Sequence, residues 1–169
     1  MAIKGSRAER GHVTPHLIVR GGDRAIDFYR RGFGAVLLYR SELPHGAGIH
    51  AHMRAWQTLI MITDEATDER ARQPDAPLSP ESLGGSTVML ETYVENVDDT
   101  FARALDAGAT AVKEPWDAFY GDRCAYIKDP FGHLWSLMTT FEELTPDQVA
   151  ERMQDMMAEK EQARDHEEH

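Results

Sequence analysis

The stretch DPFGHLWSLM, Asp129 to Met138, reads as a tight turn released into a strand. From Leu134 onward, alternate side chains fall on opposite faces, with Trp135 and Leu137 on one side and Leu134, Ser136 and Met138 on the other. The strand is the last of a series. Before it come STVMLETYV with strand composition, NVDDTFARALDAGA with helical spacing, and TAVKEP and RCAYIKD as two further strands. The second half of the chain therefore reads strand, helix, three strands.

The first half has the same order. HVTPHLIVRGG is a strand closed by Gly21 and Gly22. DRAIDFYRRGFGA is a helix with Ile26, Tyr29 and Phe33 on one side, ended by Gly32 and Gly34. AVLLYRSE, GIHAHMRA and QTLIMITDE are three short strands. Both helices open on acidic residues (Asp23; Asp98 and Asp99), carry an aromatic (Phe28; Phe101) and close on glycine followed by alanine (Gly34-Ala35; Gly108-Ala109). The matched order points to an internal duplication. Residues 65–84 are rich in charge and proline, with almost no bulky apolar residue, and read as a linker between modules 12–64 and 85–140. In the closing segment 141–169, Thr145 is an N-cap, Pro146 the first helical residue and Gln148 the partner of a capping box. A helix is expected there to about residue 160, with Val149, Met153 and Met156 as a narrow apolar stripe, then an acidic tail. The fold class is α+β: one domain over 1–169, built of two βαβββ modules whose curved mixed sheets form a ligand cleft, plus a C-terminal helix.

Composition bounds the function. A chain of 169 residues with 41% hydrophobic content supports one well-cored domain. Its 29 acidic against 18 basic residues, a net charge of -11, argue against nucleic acid or an anionic membrane as partner. Cys124 is the single cysteine, which excludes an intramolecular disulfide and fits a reducing compartment. The start MAIKGSRAERG lacks an apolar signal-peptide core and no apolar run has membrane-spanning length, so a soluble, cytoplasmic protein is expected.

Alternation assigns the faces. Leu17, Val19, Ile60, Ile62, Val88, Leu90 and Val94 suit the helix side. Turned away are Thr14, His16 and Ile18, then Leu59, Met61 and Thr63, then Met89, Glu91 and Tyr93. That set is too apolar for bare surface and too polar for a dry core, which suits the wall of a ligand cleft. His50 and His52 share a strand face and can serve as polar lining or grip a metal as an i, i+2 pair. His16 facing Glu91 is either a structural hydrogen bond or an acid/base pair. Trp116, Phe119 and Tyr120 occupy the loop between two strands of the second half, at the rim, where aromatics stack on flat ligands. Arg123 either meets a ligand carboxylate or pairs with Asp122, Cys124 is a buried small hydrophobe, and Trp56 lines the opening or a subunit contact.

The repeated unit, together with AIDFYRRGFGA, YVENVDDTFARALDAGA and DPFGHLWSL, resembles the vicinal oxygen chelate superfamily, which includes glyoxalases, extradiol dioxygenases, fosfomycin-modifying transferases and bleomycin-resistance binding proteins. The resemblance covers residues 12–140. It implies four metal-ligand places, on the cleft-facing side of the first and last strand of each half. Carried over by spacing, these fall on Thr14, Met61, Met89 and Ser136, none a usual ligand for a hard divalent cation. A shift of two residues brings in His16 and Glu91 but leaves the fourth place without a ligand. The expectation is a cofactor-free protein, closest in character to the bleomycin-resistance type. It binds a small, partly aromatic molecule, such as an antibiotic, as a homodimer, with His16, His50, His52, Met61, Met89, Glu91, Tyr93, Trp116, Tyr120, Arg123 and Ser136 lining the site. The alternative is a glyoxalase-like lyase or isomerase, or a dioxygenase, with a displaced metal near His16, His50, His52 and Glu91. Metal-free acid/base catalysis by His16 and Glu91 is a third.

Overall fold

The computed structural model describes residues 13–67 and 69–167, so the N-terminal stretch used to judge export, and the first residue of the first module, lie outside the described residues. The first module comprises β1 (His16–Val19), α1 (Gly22–Phe33), β2 (Val36–Glu42), β3 (Ile49–Ala55) and β4 (Thr58–Asp64). After the one-turn helix α2 (Pro80–Leu83) the second comprises β5 (Met89–Tyr93), α3 (Val97–Ala107), β6 (Thr110–Asp117), β7 (Asp122–Lys128) and β8 (Leu134–Thr140). Each module makes one four-stranded mixed sheet, in the orders β1-β4-β3-β2 and β5-β8-β7-β6. In both, the first strand lies parallel to the last, with His16 beside Met61 and Glu91 beside Ser136. The fold is α+β, as the repeated order requires.

The two helices end alike, which supports duplication. Gly34 and Gly108 both take the left-handed conformation at the C-cap, and Ala35 and Ala109 donate back to carbonyls of the last turns. Gly32 has a different task from the one its sequence suggested. It sits inside α1, where a Cβ would lie 3.3 Å from the Cα of Ala104, so its missing side chain lets α1 and α3 approach closely. Through that contact the helix-bearing faces of both sheets share one core, including Leu17, Val19, Ile60, Ile62, Val97, Ala104, Ile127 and Leu137. Trp56, undecided from sequence, packs on Phe33 and Trp135 inside this seam, with ring centroids 5.0 and 6.5 Å away. Val88, expected under α3, is instead exposed, because β5 begins only at Met89.

The opening stretch is tied into the same seam. Asp129 is buried, and its two carboxylate oxygens accept four hydrogen bonds: from Tyr29 Oη at 2.6 Å, Trp135 Nε1 at 3.0 Å, and the amides of Phe131 and His133, each at 3.0 Å. The turn thus holds its own strand and reaches across to α1. Gly132 takes φ +90° there, and a Cβ would meet Pro80 at 2.9 Å, so the turn also seats α2.

The linker is more ordered than its composition suggested. Glu65 is buried and accepts from Arg20 Nε at 2.7 Å, the Ser79 amide at 2.9 Å and Ser82 Oγ at 2.9 Å. These bonds clamp both ends of the linker to β1 and α2. Burial alone opposes ionisation of Glu65, but the hydrogen bonds from Ser79, Ser82 and Arg20 outweigh it and hold the carboxyl down to about 2. The terminal helix α4 (Pro146–Glu167) begins at the expected capping box, with Thr145 and Gln148 exchanging bonds of 2.9 and 3.3 Å, and runs past the expected end. Among the described residues, no helix is long and apolar enough to cross a membrane.

Candidate functional site

Each sheet turns one face to the shared core and the other away from it, and the away faces carry most of the candidate residues. On the first sheet this face presents His16 from β1, Tyr39 from β2, His50 and His52 from β3, and Met61 and Thr63 from β4. Parallel pairing of β1 with β4, and antiparallel pairing of β4 with β3, bring side chains from three strands to one place. His16 Nε2 lies 2.7 Å from Thr63 Oγ1, His50 Nδ1 lies 2.6 Å from the same oxygen, and His50 Nε2 lies 3.0 Å from His52 Nε2. The Tyr39 ring packs against this group, tilted to His52 at 5.4 Å and edge-on to His50 at 6.5 Å between ring centroids. Burial first, and the neighbouring His50 second, lower the pKa of His16 below the ordinary imidazole value.

The second sheet's face is aromatic and acidic. Met89, Glu91 and Tyr93 are exposed along β5, while Ser136 on β8 is buried at 2% exposure. Tyr93 Oη donates to Asp122 at 2.8 Å, a bond that, ahead of burial, raises the tyrosine pKa. Trp116 lies edge-on to Tyr126 at 4.8 Å, and the Lys113 ammonium sits 3.4 Å from the Trp116 ring centroid. Tyr120 folds back so that its hydroxyl lies 3.2 Å from Cys124 Sγ, and with Ala118 and Met138 it closes a small satellite core. Burial pushes the Cys124 thiol up, consistent with the expected inert hydrophobe.

Two pairings suggested by the sequence do not occur. Among the described residues, no hydrogen bond, ion pair or ring contact joins His16 to Glu91; they lie on different sheets, and His16 is engaged with Thr63 and His50. Arg123 does not pair with Asp122. Its side chain alternates to the helix side, where it meets Asp98 at 2.7 and 2.9 Å and Asp117 at 2.7 Å. Thr63 and Tyr39 are the residues that sequence reasoning did not single out as site residues. Thr63 was assigned the correct face, but its bridging position depends on strand register.

The seam between the modules holds a groove of about 670 Å³ between β1, β5 and the linker. Pro15, His16, Ile18, Leu83, Leu90 and His133 are among its walls, and His133 Nε2 lies 3.0 Å from the Ile18 carbonyl. His16 belongs to both this groove and the histidine cluster.

Of the four places that the resemblance assigns to metal ligands, Met61 and Met89 carry thioethers, Thr14 and Ser136 hydroxyls. This donor set does not fit a hard divalent cation. Among the described residues, no group of three or more His, Cys, Asp or Glu side chains converges on a point that could hold a metal ion.

The family model of the Glyoxalase/Bleomycin resistance protein/Dioxygenase superfamily matches residues 10–137. The uncharacterized protein Rv0887c of Mycobacterium tuberculosis is 36% identical over 167 residues, covering 90% of this chain and 96% of its own. TioX from Micromonospora sp. ML1 is 30% identical, covers 80% of this chain and 100% of its own, and superposes with a TM-score of 0.55. The fosfomycin resistance protein FosX of Listeria monocytogenes is 18% identical and shares the fold, with a TM-score of 0.59 over 82% of this chain and 97% of its own. The chain belongs to the glyoxalase, bleomycin resistance protein and dioxygenase superfamily.

Proposed function

We propose that the protein binds a small, partly aromatic molecule against its away-facing sheet surfaces and sequesters it without chemical change. In this reading it works in the cytoplasm as a homodimer, the second copy supplying the opposite wall of each cleft. The observation that carries the reading is the donor chemistry at Thr14, Met61, Met89 and Ser136, where metal-dependent members of the superfamily hold their cation. Thioethers and hydroxyls suit contact with an apolar ligand rather than a hard ion. The exposed apolar and aromatic groups, Met89 and Tyr93 on one face and Tyr39 on the other, provide the driving area. Removing about 200 Å² of apolar surface from water contributes roughly 5 kcal/mol before the cost of immobilising the ligand. A drug-resistance role follows if the ligand is toxic.

The test is tryptophan fluorescence during titration with a panel of aromatic antibiotics. Trp56 is packed in the seam and Trp135 in the core, so the response should come from half-buried Trp116 and vanish in Trp116→Leu. One observation favours the competing reading, a lyase, isomerase or dioxygenase with a displaced metal: the two imidazole nitrogens of His50 and His52 stand 3.0 Å apart. Stoichiometric zinc, nickel, iron or manganese in protein purified without chelator, with no response to any antibiotic, would overturn the binding reading in its favour.

A further inference from the structure

We propose that Trp116 and Lys113 form a subsite for an aromatic acid: the ligand's ring takes the place that the Lys113 ammonium holds on the indole, and the displaced ammonium closes on the ligand's carboxylate. The inference rests on the binding reading above and names the chemistry of one wall.

The subsite owes its existence to irregular pairing at the edge of the second sheet. On an unbroken strand, residues three apart point to opposite faces. Lys113 and Trp116 share one face because the β6–β7 register slips twice, between Ala111 and Lys113 and again between Lys113 and Trp116, across the stretch that holds Pro115. Lys113 then stands opposite Tyr126, and Trp116 opposite Cys124. Trp116 packs on the satellite core of Ala118, Cys124 and Met138 and meets the Tyr126 ring edge-on at 4.8 Å. The Lys113 ammonium, 3.4 Å from the indole centroid, covers a ring face that this packing leaves. The flexible four-carbon stem of a lysine lets that ammonium swing away without moving the strand.

Charge decides which ligand fits. Among the described residues Lys113 has no hydrogen bond and no ion pair, and the indole is its one close partner. Lys128, two residues after Tyr126 and about 7 Å further along β7, is exposed and equally without an ion pair. The carboxylates of this face are placed elsewhere. Asp122 accepts from Tyr93, and Glu91 lies two strands from Tyr126, beyond Ser136, about 10 Å away. Glu114, next to Lys113 in the chain, makes no ion pair with it. A neutral ring stacked on Trp116 would forfeit the cation–π contact without replacing it. An organic cation would restore that contact but stand beside the ammonium it had displaced. An aromatic acid stacks and also gives Lys113 the carboxylate it lacks, with Lys128 as a second positive charge on the same face.

Calorimetry at pH 7 on the full chain compares naphthalene-2-carboxylate with its neutral counterpart, naphthalene-2-carboxamide. Wild type should bind the acid about fivefold more tightly, the scale of one exposed ion pair. Lys113→Met keeps the stem and removes the charge. It should weaken the acid by about fivefold and tighten the amide by about twofold, because no cation–π contact has then to be broken. Lys113→Arg should restore the preference for the acid. A purely structural role for Lys113 would move both probes in the same direction, and that result, or unchanged affinities, overturns the subsite. Tighter binding of 2-naphthylmethylammonium than of the acid by wild type overturns it too. If neither naphthalene probe binds while wild type responds to the antibiotic panel, the subsite alone is refuted; if the antibiotics fail as well, the binding reading falls with it.

Discussion

Asp129→Ala should be the most damaging single change that leaves every candidate ligand contact in place. The wild-type carboxylate satisfies four donors, and two of them, Tyr29 Oη and Trp135 Nε1, belong to buried side chains with no solvent to turn to. A buried donor left without an acceptor costs about 1–3 kcal/mol, and each of the two turn amides loses roughly 0.5–1.5 kcal/mol of net bonding. Allowing for relaxation and water entry, the sum is about 4 kcal/mol, a large part of the roughly 5–15 kcal/mol that holds a typical domain folded. Asp129→Asn keeps one acceptor oxygen but places an amide N–H₂ against the other pair of donors, so it should recover only about half. Tyr29→Phe removes one donor, leaves three bonds to the carboxylate, and should cost about 1–2 kcal/mol. Urea unfolding at constant m-value gives all three energies. The double variant Asp129→Ala, Tyr29→Phe should cost less than the sum of the singles, because the orphaned hydroxyl is then absent. A loss below about 1 kcal/mol in Asp129→Ala, or an Asn variant as stable as wild type, would refute the claim that this turn locks the two modules together.

Two further changes probe the linker clamp and the helix contact. Glu65 has a depressed carboxyl pKa, so its contribution is present above the unfolded value of 4.5 and is lost as pH falls through about 2. Wild type should lose on the order of 2 kcal/mol more than Glu65→Gln across that window, and parallel acid-denaturation curves would contradict the clamp. Gly32→Ala meets the Ala104 backbone at 3.3 Å, and its helix-propensity gain of up to about 1 kcal/mol offsets that contact, leaving stability within about 1 kcal/mol of wild type. Gly32→Leu has no room and should cost about 1–3 kcal/mol by thermal melting; an unchanged Tm would mean that α1 and α3 are not held at close approach.

The fold was legible because its signals are local. Period-two alternation gave the correct faces for Leu17, Val19, Ile60, Ile62, Trp135 and Leu137, and the glycine-alanine closures identified both helix ends. What the sequence could not show is set by partners distant along the chain. The clamp on Glu65 joins β1 to a serine 14 residues on, through bonds that no composition rule anticipates in a charged, proline-rich stretch. Likewise His50 and His52 were visible as a same-face pair, whereas their link to His16 exists only because Thr63 sits opposite His50 and diagonally beside His16. Register between strands is fixed by long-range packing, not by either strand alone. Within the chain the meeting of His16 with Glu91 failed, because the two stand on different sheets and no contact joins them among the described residues.

That failure shows how the duplicated halves differ. Toward the core the modules stayed alike, with apolar strand residues under a helix closed by left-handed glycine, because both must fill one common interior through the α1–α3 contact. Away from the core each half was free to differ, and it did: histidines bridged by a threonine on the first sheet, a tyrosine bonded to an aspartate beside Glu91 on the second. A ligand held between a face of each kind would meet imidazoles and a tyrosine ring on one side and carboxylates with aromatic rings on the other, so a flat, partly apolar molecule edged with polar groups satisfies both walls at once.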